Sequence, residues 1–216
     1  MRIKKFTKVG NYNSLRGVEN QDYICVKENK RFLVVALADG ATSCVKGAAG
    51  ARIACEAASG MLIKSDKWFD FEKEKVAYLI LEEVLFQTKK EADKNNEPLE
   101  AYASTLVITL FDKKKNRLLV FNLGDGAVFL SFQNDIKYNP VVSPKRFEGQ
   151  PSLITCLDSY KDAQVVVLNE FDGKIFMCSD GVYEILFKKG ITIAEFIKEP
   201  EKWDLEDDGS FLFYET

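Results

Sequence analysis

The sequence contains no histidine. That absence removes the Ser-His-Asp and Cys-His nucleophile systems and the histidine-ligated zinc sites. Any chemistry must run on carboxylates, lysine, arginine or hydroxyls. Cysteine is scarce and odd in number: Cys25, Cys44, Cys55, Cys156 and Cys178 include no C-x-x-C pair. Free structural thiols are their ordinary reading, ahead of a metal or redox role. No apolar run approaches the ~20 residues of a membrane span. An excess of one charge sign is also missing, because 30 basic and 33 acidic residues intermix to a net −3. The basic stripe expected of a phosphate-backbone binder is therefore absent. The opening Met-Arg-Ile-Lys-Lys-Phe is basic but is not followed by the apolar region of a signal peptide. These absences together predict a cytoplasmic chain with neither nucleic acid nor membrane as a partner. There is no internal repeat, low-complexity tract or Pro/Gly/Ser linker. With 216 residues, a single domain over 1–216 is the expectation.

What is present begins with a run of six apolar residues, Leu33 to Ala38, that stops at Asp39-Gly40. Such a run predicts a buried strand, too short for an independent helix. Before it, residues 1–26 suggest short strands around a polar bend at Gly10–Asn20. After it, the small-residue series from Gly47 predicts a helix towards Lys64. Val76, Ile80 and Val84 recur at helical spacing in a second helix from about Phe71 to Lys94.

From Pro98 the pattern turns to β. Thr105–Phe111 and Arg117–Leu123 flank the polar turn Asp112–Asn116 as a hairpin, and Ala127–Phe132 is a third strand. Pro140–Ser159 is irregular. Gln164–Leu168 and Lys174–Cys178 read as strands joined by a hairpin turn containing Asp172-Gly173. Val182–Phe187 begins a helix, Ile191–Lys198 forms a short one, and Ser210–Tyr214 closes the chain as a strand. Helices early and antiparallel strands around and after them imply an α+β layered architecture, not an alternating βαβ one.

Five Asp-Gly dipeptides stand at Asp39, Asp125, Asp172, Asp180 and Asp208. Each could be a plain turn. Asp39, Asp125 and Asp180, however, each end an apolar β run, where a carboxylate sits on a rigid support at the edge of the core. Three such carboxylates at one sheet edge would repel one another unless a cation neutralised them. With no histidine available, an all-oxygen site for a hard ion such as Mg2+ or Mn2+ is the natural metal hypothesis. Unrelated turns remain the alternative.

The set Asn20-Gln-Asp22, Ala38-Asp-Gly-Ala41, Ala103-Ser-Thr-Leu106, Asn122-Leu-Gly-Asp-Gly-Ala127, Cys178-Ser-Asp-Gly181 and Asp207-Asp-Gly-Ser210 resembles the ordered motifs of the PP2C-type metal-dependent serine/threonine phosphatases, especially their compact bacterial members. Singly each motif is weak, but six occur in order between about residues 7 and 214. The resemblance implies a four-layer α-β-β-α sandwich of two antiparallel sheets flanked by helices, carrying metal ions at one edge. It implies that Asp39 bridges two Mn2+ or Mg2+ ions and that the Gly40 carbonyl ligates one. Asp22, Asp180 and Asp207 would complete the site. Asp125 matches a residue that many members use at a third, weaker ion, and Arg16 is the candidate to grip the phosphate.

By the same resemblance the substrate is a phosphorylated protein, and a metal-activated hydroxide performs the hydrolysis. Asp22 could instead form a loop turn, and Asp207 or Asp208 an acidic cap on the last strand. The chain departs from the pattern in two respects. Ala41-Thr42-Ser43 follows Asp39-Gly40 where many members carry a histidine, and the segments after Asp125 and between Gly181 and Asp207 are short. A catalytically weak, partner-binding member with structural metals, or a phosphatase for small phosphate esters, would share these motifs. Retention of the clustered carboxylates favours the active phosphoprotein phosphatase, since a scaffold has no need of clustered charges that destabilise the metal-free fold.

Overall fold

Strand β3 (Phe32–Asp39) lies second from one edge of a five-stranded antiparallel sheet. Successive side chains of a strand leave on opposite faces. Val34, Ala36 and Ala38 pack towards helices, while Leu33, Val35 and Leu37 pack towards a second sheet. A strand covered on both faces has no polar alternation, which is why this run is continuously apolar. The protein is described from a computed structural model covering residues 2–132, 135, 137–147 and 149–216.

The neighbours of β3 are β2 (Asp22–Glu28), β4 (Leu106–Asp112), β5 (Arg117–Leu123) and β10 (Gln164–Leu168), in the order β10-β5-β4-β3-β2. The second antiparallel sheet has the order β1-β12-β11-β6-β7, from β1 (Arg2–Lys8), β12 (Gly209–Glu215), β11 (Gly173–Cys178), β6 (Ala127–Phe132) and β7 (Asn139–Val142). A two-stranded ribbon, β8 (Arg146–Phe147) with β9 (Gln150–Pro151), follows β7. Helices α2 (Gly47–Leu62) and α3 (Lys73–Asn95) cover the first sheet. The shorter α4 (Asp180–Lys189) and α5 (Ile193–Lys198) cover the second. Three apolar layers result, and their order is the expected α-β-β-α sandwich. Each fully buried Leu or Val in them contributes about 1.5–3 kcal/mol, which lets the fold tolerate polar strain at one edge. Among the described residues, no helix is long and apolar enough to cross a membrane.

Several expectations shift. The bend Gly10–Asn20 contains a short helix, α1 (Asn11–Leu15). Helix α4 begins at Asp180, two residues before Val182, and α5 is started by a capping box between Thr192 and Glu195. The irregular stretch Pro140–Ser159 holds part of β7 and the β8–β9 ribbon. Asp172-Gly173 is not a hairpin turn. Strand β10 pairs with β5 and β11 pairs with β12 and β6, so the connection crosses from one sheet to the other. Buried Phe171 anchors that crossing in the core between the sheets. A Cβ on Gly173 would lie 2.1 Å from the Ser131 carbonyl oxygen, so close backbone approach is what requires glycine here.

Candidate active site

The strand ends explain the acidic positions. Asp22 opens β2 and pairs directly with Asp39, the last residue of β3, so both carboxylates leave the same face of the first sheet. Asp125 lies on the crossing from β5 to β6, Asp180 at the junction of β11 and α4, and Asp207 two residues before β12. The glycines after Asp39, Asp125 and Asp180 are absent from the left-handed region of backbone space. They permit contact instead. A Cβ on Gly40 would sit 2.2 Å from the Gly47 carbonyl carbon, one on Gly126 2.4 Å from a Val107 methyl, and one on Gly181 2.2 Å from the Asp208 carbonyl oxygen. The turn reading of these three dipeptides therefore gives way to close packing of the segments that carry the acids.

Gly40 forms an isolated bridge with Ser104 in which the flanking residues carry the bonds: Thr105 N–H donates to the Asp39 carbonyl and Ala41 N–H to the Ala103 carbonyl. Gly40 N–H points the other way, to the Gln21 carbonyl at 3.2 Å.

The two sheets are tied together at this edge. Ser179 Oγ donates to Asp22 Oδ2 at 2.9 Å and accepts from Ser210 N–H at 2.9 Å. Asp208, 2% exposed, accepts from Gly10 N–H at 2.8 Å, Asn13 Nδ2 at 2.9 Å and Gln21 N–H at 2.7 Å. Its carboxylate is thereby committed to holding α1 and the start of β2 in place. Asp207 is half-buried and makes one hydrogen bond, accepting from Asp208 N–H at 2.8 Å. Of the two, Asp207 is the one left for a ligand.

The electrostatics are those of crowded anions. Burial pushes the Asp39 carboxyl well above its usual range, and the charges of Asp22, Asp180, Asp207 and Asp125 add to that effect. Burial raises Asp22 to about 7 against the opposing Ser210 and Ser179 hydroxyls. Burial, then Asp125, Asp207 and Asp22, raise Asp180 to about 8. Asp125 and Asp207 are raised chiefly by burial as well, with Arg146 opposing it in both. Among the described residues no three acid, thiol or imidazole groups are gathered tightly enough to make a closed cation cage.

Do these residues suit divalent ions? Asp22 Oδ1 and Asp180 Oδ1 are both buried and have no hydrogen-bond partner. A buried, unpartnered carboxylate oxygen is costly, and a hard cation satisfies it. The donors are all oxygens, which suits Mg2+ or Mn2+ and disfavours zinc. The residues fit the group.

Arg16 is the C-terminal cap of α1. It is exposed, with its guanidinium 4.9 Å over the Tyr12 ring and no ion pair to the aspartates. The arginine inside the cluster is Arg146, which donates to Asp125 Oδ2 from Nε at 3.0 Å and to Asp180 Oδ2 from Nη2 at 3.1 Å. It comes from the stretch with no periodic signal, so nothing in the sequence marked it. Ser179 was visible only as part of Cys178-Ser-Asp-Gly181; a serine just before a helical Asp is a helix-start signal, and it could have been weighed as a link to Asp22.

A sequence model described as protein phosphatase 2C matches residues 9–204. Among solved structures, the chain is similar to a bacterial serine phosphatase at 15% identity and a TM-score of 0.71, covering 100% of this chain and 98% of that one. It is similar to the serine/threonine phosphatase Stp1 from Staphylococcus aureus at 13% identity and 0.67, covering 100% and 95%. The catalytic domain of the serine/threonine protein phosphatase PstP, solved in complex with two manganese ions, matches at 15% identity and 0.66, covering 98% and 96%. No curated protein matches the chain. With nearly the whole length matched and both sheets in the same arrangement, the chain belongs to the protein phosphatase 2C family of phosphoprotein phosphatases.

Proposed function

We propose that residues 1–216 act as one Mn2+- or Mg2+-dependent phosphatase domain that hydrolyses phosphoserine and phosphothreonine in proteins. The observation that carries this reading is the pair of buried, unpartnered oxygens on Asp22 and Asp180, set among carboxylates that burial and mutual repulsion drive towards protonation. Two bound ions would supply an activated water and neutralise charge developing on the phosphoryl oxygens without any histidine base. Asp39, paired across the strands with Asp22 and acted on by the charges of Asp180, Asp207 and Asp125, would be the central ligand. Asp22, Asp180, Asp207 and the Gly40 carbonyl complete the set. Ser179 holds Asp22 in orientation, and Asp208 holds the backbone beside Asp207. Arg16 is the phosphate grip: its planar fork is exposed at the end of α1, whose first residues bond to Leu205 and Glu206 next to Asp207.

The test is hydrolysis of a phosphothreonine peptide with Mn2+, with chelator, and with Asp180→Asn. Mn2+-dependent release of phosphate that collapses in Asp180→Asn supports the reading. Release that persists undiminished in chelator would end it.

A further inference from the structure

Asp125 is 3% exposed and stands at the edge where the two sheets meet. Its counter-ion is part of the chain. Arg146 donates from Nε to Asp125 Oδ2 at 3.0 Å and from Nη2 to Asp180 Oδ2 at 3.1 Å, and Nη2 also lies 2.9 Å from Asp125 Oδ2 as an ion pair. The backbone fixes this contact: Lys145 N–H donates to the Gly124 carbonyl at 3.1 Å, and Arg146 is paired with Pro151 in the β8–β9 ribbon. Main-chain bonds thus hold the ribbon from which the Arg146 side chain reaches Asp125.

We propose that the Arg146 guanidinium is a built-in cation that takes the place of a third metal ion at Asp125, leaving a centre that holds two ions. The inference rests on the metal-centre reading above. Charge balance favours it. Two divalent ions bring four positive charges and the guanidinium a fifth, which equals the five carboxylates of Asp22, Asp39, Asp125, Asp180 and Asp207. Glu184, 4.0 Å from Arg146, is already paired with Lys188 at 2.8 Å. Asp208 is satisfied by neutral donors. A third divalent ion would have to break a charge-assisted contact to a carboxylate out of water, and such contacts are the strong ones.

The experiment is calorimetric titration of the full chain with Mn2+ alone. The wild type is expected to bind two ions, and Asp125→Asn to leave that number unchanged. Arg146→Ala opens the position, so the number rises to three and returns to two in Arg146→Ala with Asp125→Asn. Arg146→Lys keeps the charge and stays at two. A wild-type third ion that Asp125→Asn removes would overturn the proposal, as would an unchanged number in Arg146→Ala. Should Arg146→Ala not fold, by circular dichroism, the Asp125→Asn comparison in the otherwise native chain decides. Absence of binding in every protein would end the metal-centre reading and this inference with it; two ions with no response to Arg146 ends the inference alone.

Discussion

The two ends of β3 hold carboxylates in opposite circumstances. At its start, Phe32 pairs with Asp112, whose side chain is completely buried. Asp112 accepts from Arg31 Nε at 3.2 Å and Nη2 at 2.9 Å and from the N–H groups of Lys114 and Lys115 at 3.1 and 3.3 Å, and pairs by charge with Arg117 Nη2 at 3.6 Å. Burial alone would raise its proton affinity, but these partners outweigh burial and hold it below the usual carboxylate range. At the far end of the same strand, Asp39 and its neighbours share one guanidinium among five acids, and their proton affinities are driven up. A buried acid with a full set of donors is a structural part. A crowd of buried acids short of positive charge destabilises the fold, and a bound cation is what gives it a use.

The largest expected effect comes from exchanging the charge at the acidic end. Asp39→Asn should cut Mn2+-dependent turnover by at least about 10²–10³-fold, yet raise the urea midpoint of chelator-treated protein, because one repelling charge is gone. A lowered midpoint would place Asp39 with Asp112 as a structural acid. Next, Asp112→Ala should lower the urea midpoint by removing the buried acceptor of Arg31 and of the Lys114 and Lys115 N–H groups, while Mn2+ affinity of the folded protein stays as it was.

The adjacent acids Asp207 and Asp208 repeat the contrast over one residue. Asp208→Ala strands three donors and should lose about 3 kcal/mol or more in urea unfolding, at about 1–3 kcal/mol for each buried group left unpaired. Asp207→Asn should weaken Mn2+ binding with little change in stability. The reverse pattern would exchange their roles.

The last prediction is a pH trend. In chelator, Asp22 near 7 and Asp180 near 8 bind protons more tightly in the folded chain than at the ordinary value of 3.8. The folded state therefore carries more protons between those limits, and stability falls as pH rises through them. That contribution is complete below about pH 4 and lost by about pH 8. Mn2+ competes with the protons, so saturating metal should flatten or reverse the slope. Thermal melts across pH 5 to 8, with and without Mn2+, measure both.

How much of this was legible in the sequence follows from the same contrast. Strand ends are local: an apolar run that stops at Asp39, or at Cys178-Ser179-Asp180, shows its edge in one dimension, and the layered fold follows from strands buried on both faces. What depends on distant segments was hidden. The burial of Asp208 is made by Gly10, Asn13 and Gln21, nearly two hundred residues away, so the sequence could not separate it from Asp207. Arg146 is placed by a ribbon two residues long, too short to show a period. Asp172-Gly173 looks like any hairpin turn until β10 and β11 are found in different sheets.

The central claim is that the acidic edge of the sandwich is a divalent-metal centre. Its most direct test is the melting temperature of chelator-stripped protein at pH 8 as Mn2+ is added, beside Asp39→Asn. The wild type should melt progressively higher as the site fills, since a ligand bound only by the folded state stabilises it, and Asp39→Asn should lose most of that rise. A wild-type melting temperature indifferent to Mn2+ would contradict the account.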